Sequence, residues 1–168
     1  AGFVVAGHMI SNGCRRIAFV SEPNPAMTIQ LRQIGVREAL IQNGFSTRDL
    51  RTVNFESEHP EAVVETLRRE QVTGVVCAND VTAARLLRIM VDGGVRIPEE
   101  MQVCGFDDVK YASLLAVPLT SYQQPCLDIG KIAVNTMIAR IQHPEGPTHR
   151  TTLKGRLVMR DSAPARRS

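Results

Sequence analysis

Two polar pairs dominate the chemistry available to this 168-residue chain, Asn79-Asp80 and Asp107-Asp108. Each follows an apolar run directly, Gly74 to Ala78 and Gln102 to Phe106. An ionised carboxylate accepts several hydrogen bonds, and a primary amide both donates and accepts. Together they suit a ligand rich in hydroxyl groups. The same residue types also cap helices and close turns. Asp107 is therefore read as an acceptor for ligand hydroxyls or as a turn residue, and Asp108 as the cap of a short segment, Val109 to Leu115. One of Asn79 and Asp80 must cap the helix that begins at Val81. Asp80 is assigned that structural role, and Asn79 stays open between cap and ligand contact.

Other candidates are weaker on residue type alone. Arg32 lies one turn into a helical pattern after Glu22-Pro23-Asn24-Pro25. Its planar fork could clamp a sugar or a carboxylate, yet its position alone favours an exposed ion pair. Thr28, four residues earlier, shares that helical face and adds a hydroxyl. Phe55 ends a strand-like run, where its ring either stacks on a ligand's apolar face or joins the core. An acidic pair can also hold Mg²⁺. Phosphotransfer receivers, however, carry such a pair after the first strand, with a third Asp and a Lys after later strands. This chain has no such series. It has no phosphate loop, no G-x-G-x-x-G and no nucleophile elbow, so no catalytic residue and no cofactor are expected. Four cysteines (Cys14, Cys77, Cys104, Cys126) and four histidines are scattered without metal-ligand spacing, so no metal site is expected. The thiols are expected to be free, in a reducing cytoplasm.

The elements that must position these groups follow from periodicity. Ile17 to Val20, Arg51 to Phe55, Gly74 to Ala78 and Gln102 to Phe106 read as strands buried on both faces. Helical patterns separate them. Met27 to Asn43 places Leu31, Ile34, Ala39 and Leu40 inward and stops at Gly44. A helix opened by Pro60 buries Val63, Val64 and Leu67. Asp80 to Asp92 buries Ala83, Ala84, Leu87 and Met90, and Gly93-Gly94 ends it. A last helix runs from Pro125 to about Ile141, and a final strand from Thr151 to Met159. Strands alternating with helices give an α/β fold, a parallel sheet with helices on both faces and right-handed crossovers. In such a sheet the strand ends border the ligand crevice, which gathers the candidates on one rim. The net charge of +3 is too small to argue for nucleic-acid binding by this segment. No apolar run approaches the roughly 18 residues of a membrane span. The chain opens inside a helical pattern, Ala-Gly-Phe-Val-Val-Ala-Gly-His-Met-Ile, with no signal-peptide features. It reads as a fragment whose N-terminal part lies upstream.

The stretch Ala78 to Pro125 carries A-N-D at a strand end, V-R-I-P-E-E in a turn, G-F-D-D after the next strand, and P-L-T-S-Y-Q-Q-P, in that order. It closely resembles the effector-binding domain of the lactose-repressor/galactose-repressor family of bacterial transcription regulators. The resemblance covers nearly the whole chain. It implies a periplasmic-binding-protein-like (type I) fold of two lobes. Residues 1–122 would form the C-terminal lobe, 123–148 a crossover and helix of the other lobe, 149–162 the returning strand, and 163–168 a tail. It further implies that Asp107, Asn79 and Arg32 contact effector, Arg32 through the match of Leu31-Arg32-Gln33-Ile34-Gly35-Val36 to an L-R-x-x-G-[FWV] pattern. Gln124 matches a Gln near the cleft, where a hinge role is equally open. The implied partners are a small-molecule effector (a sugar or sugar acid, with purines and other metabolites serving related proteins), a second copy in a homodimer, and operator DNA through an upstream helix-turn-helix. The rival reading is a periplasmic sugar binder of an uptake system.

Overall fold

Strand residues alternate between two faces, and here both faces are apolar. Ala18, Val20, Val75, Cys77 and Val103 belong to one buried cluster, and Ile17, Phe19, Val76, Cys104 and Phe106 to another. The sheet must therefore be covered on both sides, and helices cover it. The computed structural model describes residues 1–55 and 61–165. Within them the order is α1 (Gly2–Ser11), β1 (Ile17–Ser21), α2 (Met27–Gln42), β2 (Leu50–Asn54), α3 (Glu61–Arg69), β3 (Gly74–Cys77), α4 (Asp80–Asp92), β4 (Gln102–Phe106), β5 (Thr120–Gln123), α5 (Cys126–Gln142) and β6 (Arg156–Val158). The six strands lie in the order β2-β1-β3-β4-β5-β6. The first five are parallel, and β6 returns antiparallel to β5, with Tyr122 opposite Leu157.

Helices α3 and α4 bury Val63, Val64, Leu67, Ala83, Leu87 and Met90 in the first cluster, as their spacing predicts. Helices α1 and α2 supply Val5, Ala6, Met9, Val36, Ala39 and Leu40 to the second. Burying one such side chain is worth about 1.5–3 kcal/mol. The loops after α2 and α4 turn through Gly44 and Gly94, both at positive φ. Three thiols, Cys14, Cys77 and Cys104, are buried, and Cys126 is exposed; all four are free. Burial pushes the Cys14 thiol up to about 11, and those of Cys77 and Cys104 further.

Several expectations need correction. Leu31 and Ile34 are more than half exposed. The apolar residues of α2 occupy two faces, and the sheet takes the one carrying Val36, Ala39 and Leu40. Ala84 is only half-buried, while Leu86 and Thr82 join the covered face of α4. The crossover expected to begin at residue 123 begins one residue later, because Thr120–Gln123 is a strand of the sheet that the sequence reading did not assign. The final strand is confined to Arg156–Val158. The helix start expected at Pro60 lies outside the described residues. Helix α5 forms as expected but has no buried residue. Among the described residues no helix is long and apolar enough to cross a membrane.

Candidate functional site

Strand β1 has β2 on one side and β3 on the other, so the chain direction of crossover reverses beside it. A crevice opens outside the strand ends at such a point. Arg32 reaches across it from α2. One guanidinium nitrogen donates to the carbonyl of Ala78, just past β3. The other donates to Asp107 Oδ1, just past β4, at 3.1 Å. The guanidinium carbon lies 4.7 Å from the centroid of the Phe106 ring, a cation–π seat beneath the fork. Gln124, just past β5, donates its amide to the same Oδ1. Among the described residues Asp107 Oδ2 takes no hydrogen bond. The Asp107 side chain is 35% exposed, so the ion pair adds little stability. Its effect is geometric: it fixes a partly exposed carboxylate with Oδ1 committed to Arg32 and Gln124.

The backbone that carries Asp107 is unusual. Asp107 and Asp108 have φ of 102° and 50°, a region L-residues rarely occupy. Their bonds hold them there. The Asp107 N–H donates to the Tyr122 carbonyl. The Asp108 N–H donates to Ser121 Oγ at 3.0 Å. The Val109 N–H donates to Asp80 Oδ2 at 2.9 Å, and the Ser121 hydroxyl donates to Asp80 Oδ1 at 2.7 Å. Asp108 accepts from Arg160 at 2.7 Å and from the Gln123 amide at 2.8 Å.

These contacts revise the sequence assignments. Asn79, not Asp80, caps α4: its Oδ1 accepts from the Thr82 N–H at 2.9 Å. That bond uses the amide oxygen, and among the described residues the NH₂ group donates no hydrogen bond. Asp80 is structural, but as a fully buried carboxylate joining three strand ends. Burial pushes its pKa up. The hydrogen bonds from Ser121 and Val109 pull it down, and the charges of Asp107 and Asp108 raise it further. Asp108 is structural as well, through its ion pair. The short turn Lys110–Ser113 has Val109 at its cap position and no side-chain cap. Thr28 sits exposed in the first turn of α2, on the Arg32 face, without a hydrogen bond to the cluster among the described residues. Phe55 is 3% exposed and belongs to the core cluster, its N–H donating to the Ser21 carbonyl. The fold thus joins Arg32, Asp107 and Gln124 directly, sets Asn79 beside them, and keeps Thr28 and Phe55 out of contact. Sequence reasoning missed Ser121, Gln123 and Arg160. The polar run Thr120 to Gln123 was the available signal for the first two, and Arg160 had none.

Residues 6–163 match the family described as the periplasmic binding protein-like domain. The chain belongs to the periplasmic binding protein-like domain family. Among its relatives in that family is the HTH-type transcriptional repressor PurR of Photobacterium profundum, 26% identical over 96% of this chain and 49% of that protein. Another is the ribose operon repressor of Haemophilus influenzae, 27% identical over 96% of this chain and 50% of that protein. The chain spans about half the length of these curated relatives. Among solved structures, a LacI family transcriptional regulator from Enterococcus faecium with bound ribose aligns with a TM-score of 0.86 at 26% identity. It covers 99% of this chain and 63% of that one. A complex of the transcriptional regulator CelR with cellobiose aligns at 0.83 and 28% identity, over 96% of this chain and 50% of that one. The periplasmic-binding-protein-like fold and the resemblance to lactose-repressor/galactose-repressor regulators are both borne out, and these relatives are transcriptional regulators.

Proposed function

We propose that this chain is the effector-sensing part of a cytoplasmic DNA-binding transcriptional repressor, and that its effector is a sugar or a related small metabolite. The observation that carries the reading is the preassembled Arg32–Asp107–Gln124 cluster on the rim of β3, β4 and β5. A fixed donor fork beside a carboxylate oxygen with open lone pairs matches a polyol, which needs both. Asn79 adds its NH₂ and Thr28, exposed in the first turn of α2, a hydroxyl, while Phe55, buried in the core, is left out of the contact set. Among the described residues no group in the cluster has a base beside it that would make it a nucleophile, which favours binding over reaction at this site. The division is the one the resemblance implies, residues 1–122 and 149–162 in one lobe and 123–148 in a second, except that Gln123 pairs within the sheet and Ala163 is buried in the core, so both join the first lobe. The bare surface of α5 supports that division. Effector would shift the closure of the two lobes, and with it operator affinity, by population shift between linked sites. Operator contact is assigned to a helix-turn-helix outside this segment, and assembly to a homodimer. The curated relatives named above are repressors and the structural neighbours transcriptional regulators, which lends the uptake-binder reading no support.

A thermal-shift panel of pentoses, hexoses, sugar acids and purines, followed by calorimetry on the best compound, tests the reading. Asp107→Ala should weaken binding roughly 10- to 100-fold, the loss of a charge-assisted hydrogen bond worth about 1.5–3 kcal/mol. A panel without a single stabilising compound, or an affinity untouched by Asp107→Ala, would sink it.

A further inference from the structure

Asp80 lies under the rim, fully buried, where no ligand can reach it. Its two oxygens hold the chain that follows Asp107 at two points. Oδ2 takes the Val109 N–H directly. Oδ1 takes the Ser121 hydroxyl, whose oxygen in turn accepts the Asp108 N–H. The packing leaves room for this carboxylate: a Cβ on Gly105 would overlap Asp80 Oδ1 and crowd Leu119. A buried charge is costly to keep unless its partners satisfy it. Here both oxygens are spent on one corner of backbone, and that corner is the one with two successive non-glycine residues at positive φ. Such a conformation persists only where its surroundings over-determine it. Rotation of φ at Asp107 by tens of degrees would swing its carboxylate away from Arg32 and Gln124 together.

We infer that Asp80 is a positioning residue for the ligand site: its buried carboxylate, bonded to the Val109 N–H and bridged by Ser121 to the Asp108 N–H, holds Asp107 and Asp108 at positive φ and so fixes where the Asp107 carboxylate points. The inference rests on the reading of Asp107 as a ligand acceptor. A purely structural Asp80 would stabilise the fold without governing where Asp107 points.

The test separates those roles on the 168-residue chain. Asp80→Ala, Asp80→Asn and Ser121→Ala are compared with Leu86→Val, a core change elsewhere on α4 that lowers the melting temperature without touching the corner. Backbone amide and Cα resonances of Asp107 and Asp108 are read without ligand, and D-ribose affinity by calorimetry. Asp80→Ala and Ser121→Ala should move both residues' resonances toward ordinary negative-φ values and weaken D-ribose about tenfold, the scale of one lost hydrogen bond to a charged group. Asp80→Asn, which keeps one acceptor, should restore part of both, and Leu86→Val should change neither. Should Asp80→Ala fail to fold, Ser121→Ala carries the decision. Unmoved Asp107 and Asp108 resonances in the Ala variants would overturn the inference, as would an equal affinity loss in Leu86→Val. Failure of the wild-type chain to bind D-ribose would count against ribose as effector, while the ligand-free resonances would still decide the clamp.

Discussion

The rim corner around Asp107 and the helix α5 are built on opposite principles. At the corner, polar groups are buried and joined: Asp80 is fully covered and the Asp108 side chain is 9% exposed. Their partners come from positions as distant in sequence as Arg160. In α5 nothing is buried, and Leu127, Val134, Met137 and Ile141 stand at least half in water. The first region spends fixed hydrogen bonds on a single geometry. The second carries an apolar stripe that no described residue buries, which is how an element looks when its cover lies elsewhere. Local helix formation and tertiary stabilisation are therefore separable here: α5 has the sequence of a helix without the packing of one.

That contrast can be broken by measurement. The largest effect is expected at Phe106, which fills the core below the corner and seats Arg32. Phe106→Ala should cost about 3–5 kcal/mol in urea unfolding. Arg160→Ala should follow at about 1.5–3 kcal/mol, because it strips a nearly buried carboxylate of a charge-assisted bond. A smaller and pH-dependent effect is expected at Asp80. Its folded pKa is raised above the unfolded value of about 3.9. The folded state therefore keeps a proton that the unfolded chain has already lost. Stability from this group is full below the unfolded pKa and declines as pH rises through the folded one. The difference in stability between wild type and Asp80→Asn should shift in the variant's favour across that window, and a pH-independent difference would contradict it. At the bottom of the scale, Leu127→Lys and Ile141→Lys in α5 should each change stability by no more than about 0.5 kcal/mol. They should also reduce any concentration-dependent association of the chain. Losses in α5 that match those at the corner would erase the distinction between the two regions.

The sheet was largely legible because β1, β3 and β4 are continuous apolar runs, a pattern that buried parallel strands impose, whereas β2, expected to be buried on both faces, is an edge strand of mixed residues with only Leu50 buried. Strand β5 was not legible, because Thr120-Ser121-Tyr122-Gln123 is polar and flanked by prolines. Its burial is made affordable by side-chain bonds: Ser162 Oγ accepts the Thr120 N–H, and Ser121 reaches Asp80. No hydrophobicity pattern encodes such pairing. In α2 the apolar residues wrap most of the helix, so periodicity could not select the inward face. The rim position of Asn79 and Asp107 followed from strand ends alone, and that of Gln124 only from the family resemblance. The division of labour between neighbours did not. Which of Asn79 and Asp80 caps α4 depends on which side chain finds room beside Gly105, a three-dimensional fact.

The four thiols divide along the same line, and this makes the chain its own probe of opening. Cys77 and Cys104 lie in the sheet and Cys14 in the core beneath α1, all with thiols held far from ionisation, and Cys126 stands free at the start of α5. Only thiolate that meets solvent alkylates quickly. A short pulse of iodoacetamide should thus tag each native molecule once, at Cys126, and an unfolded molecule at all four sites. Mass spectrometry of the pulse would count folded and unfolded molecules in a mixture directly. Partial tagging at Cys14 alone would report fraying of the α1 side before the sheet itself gives way.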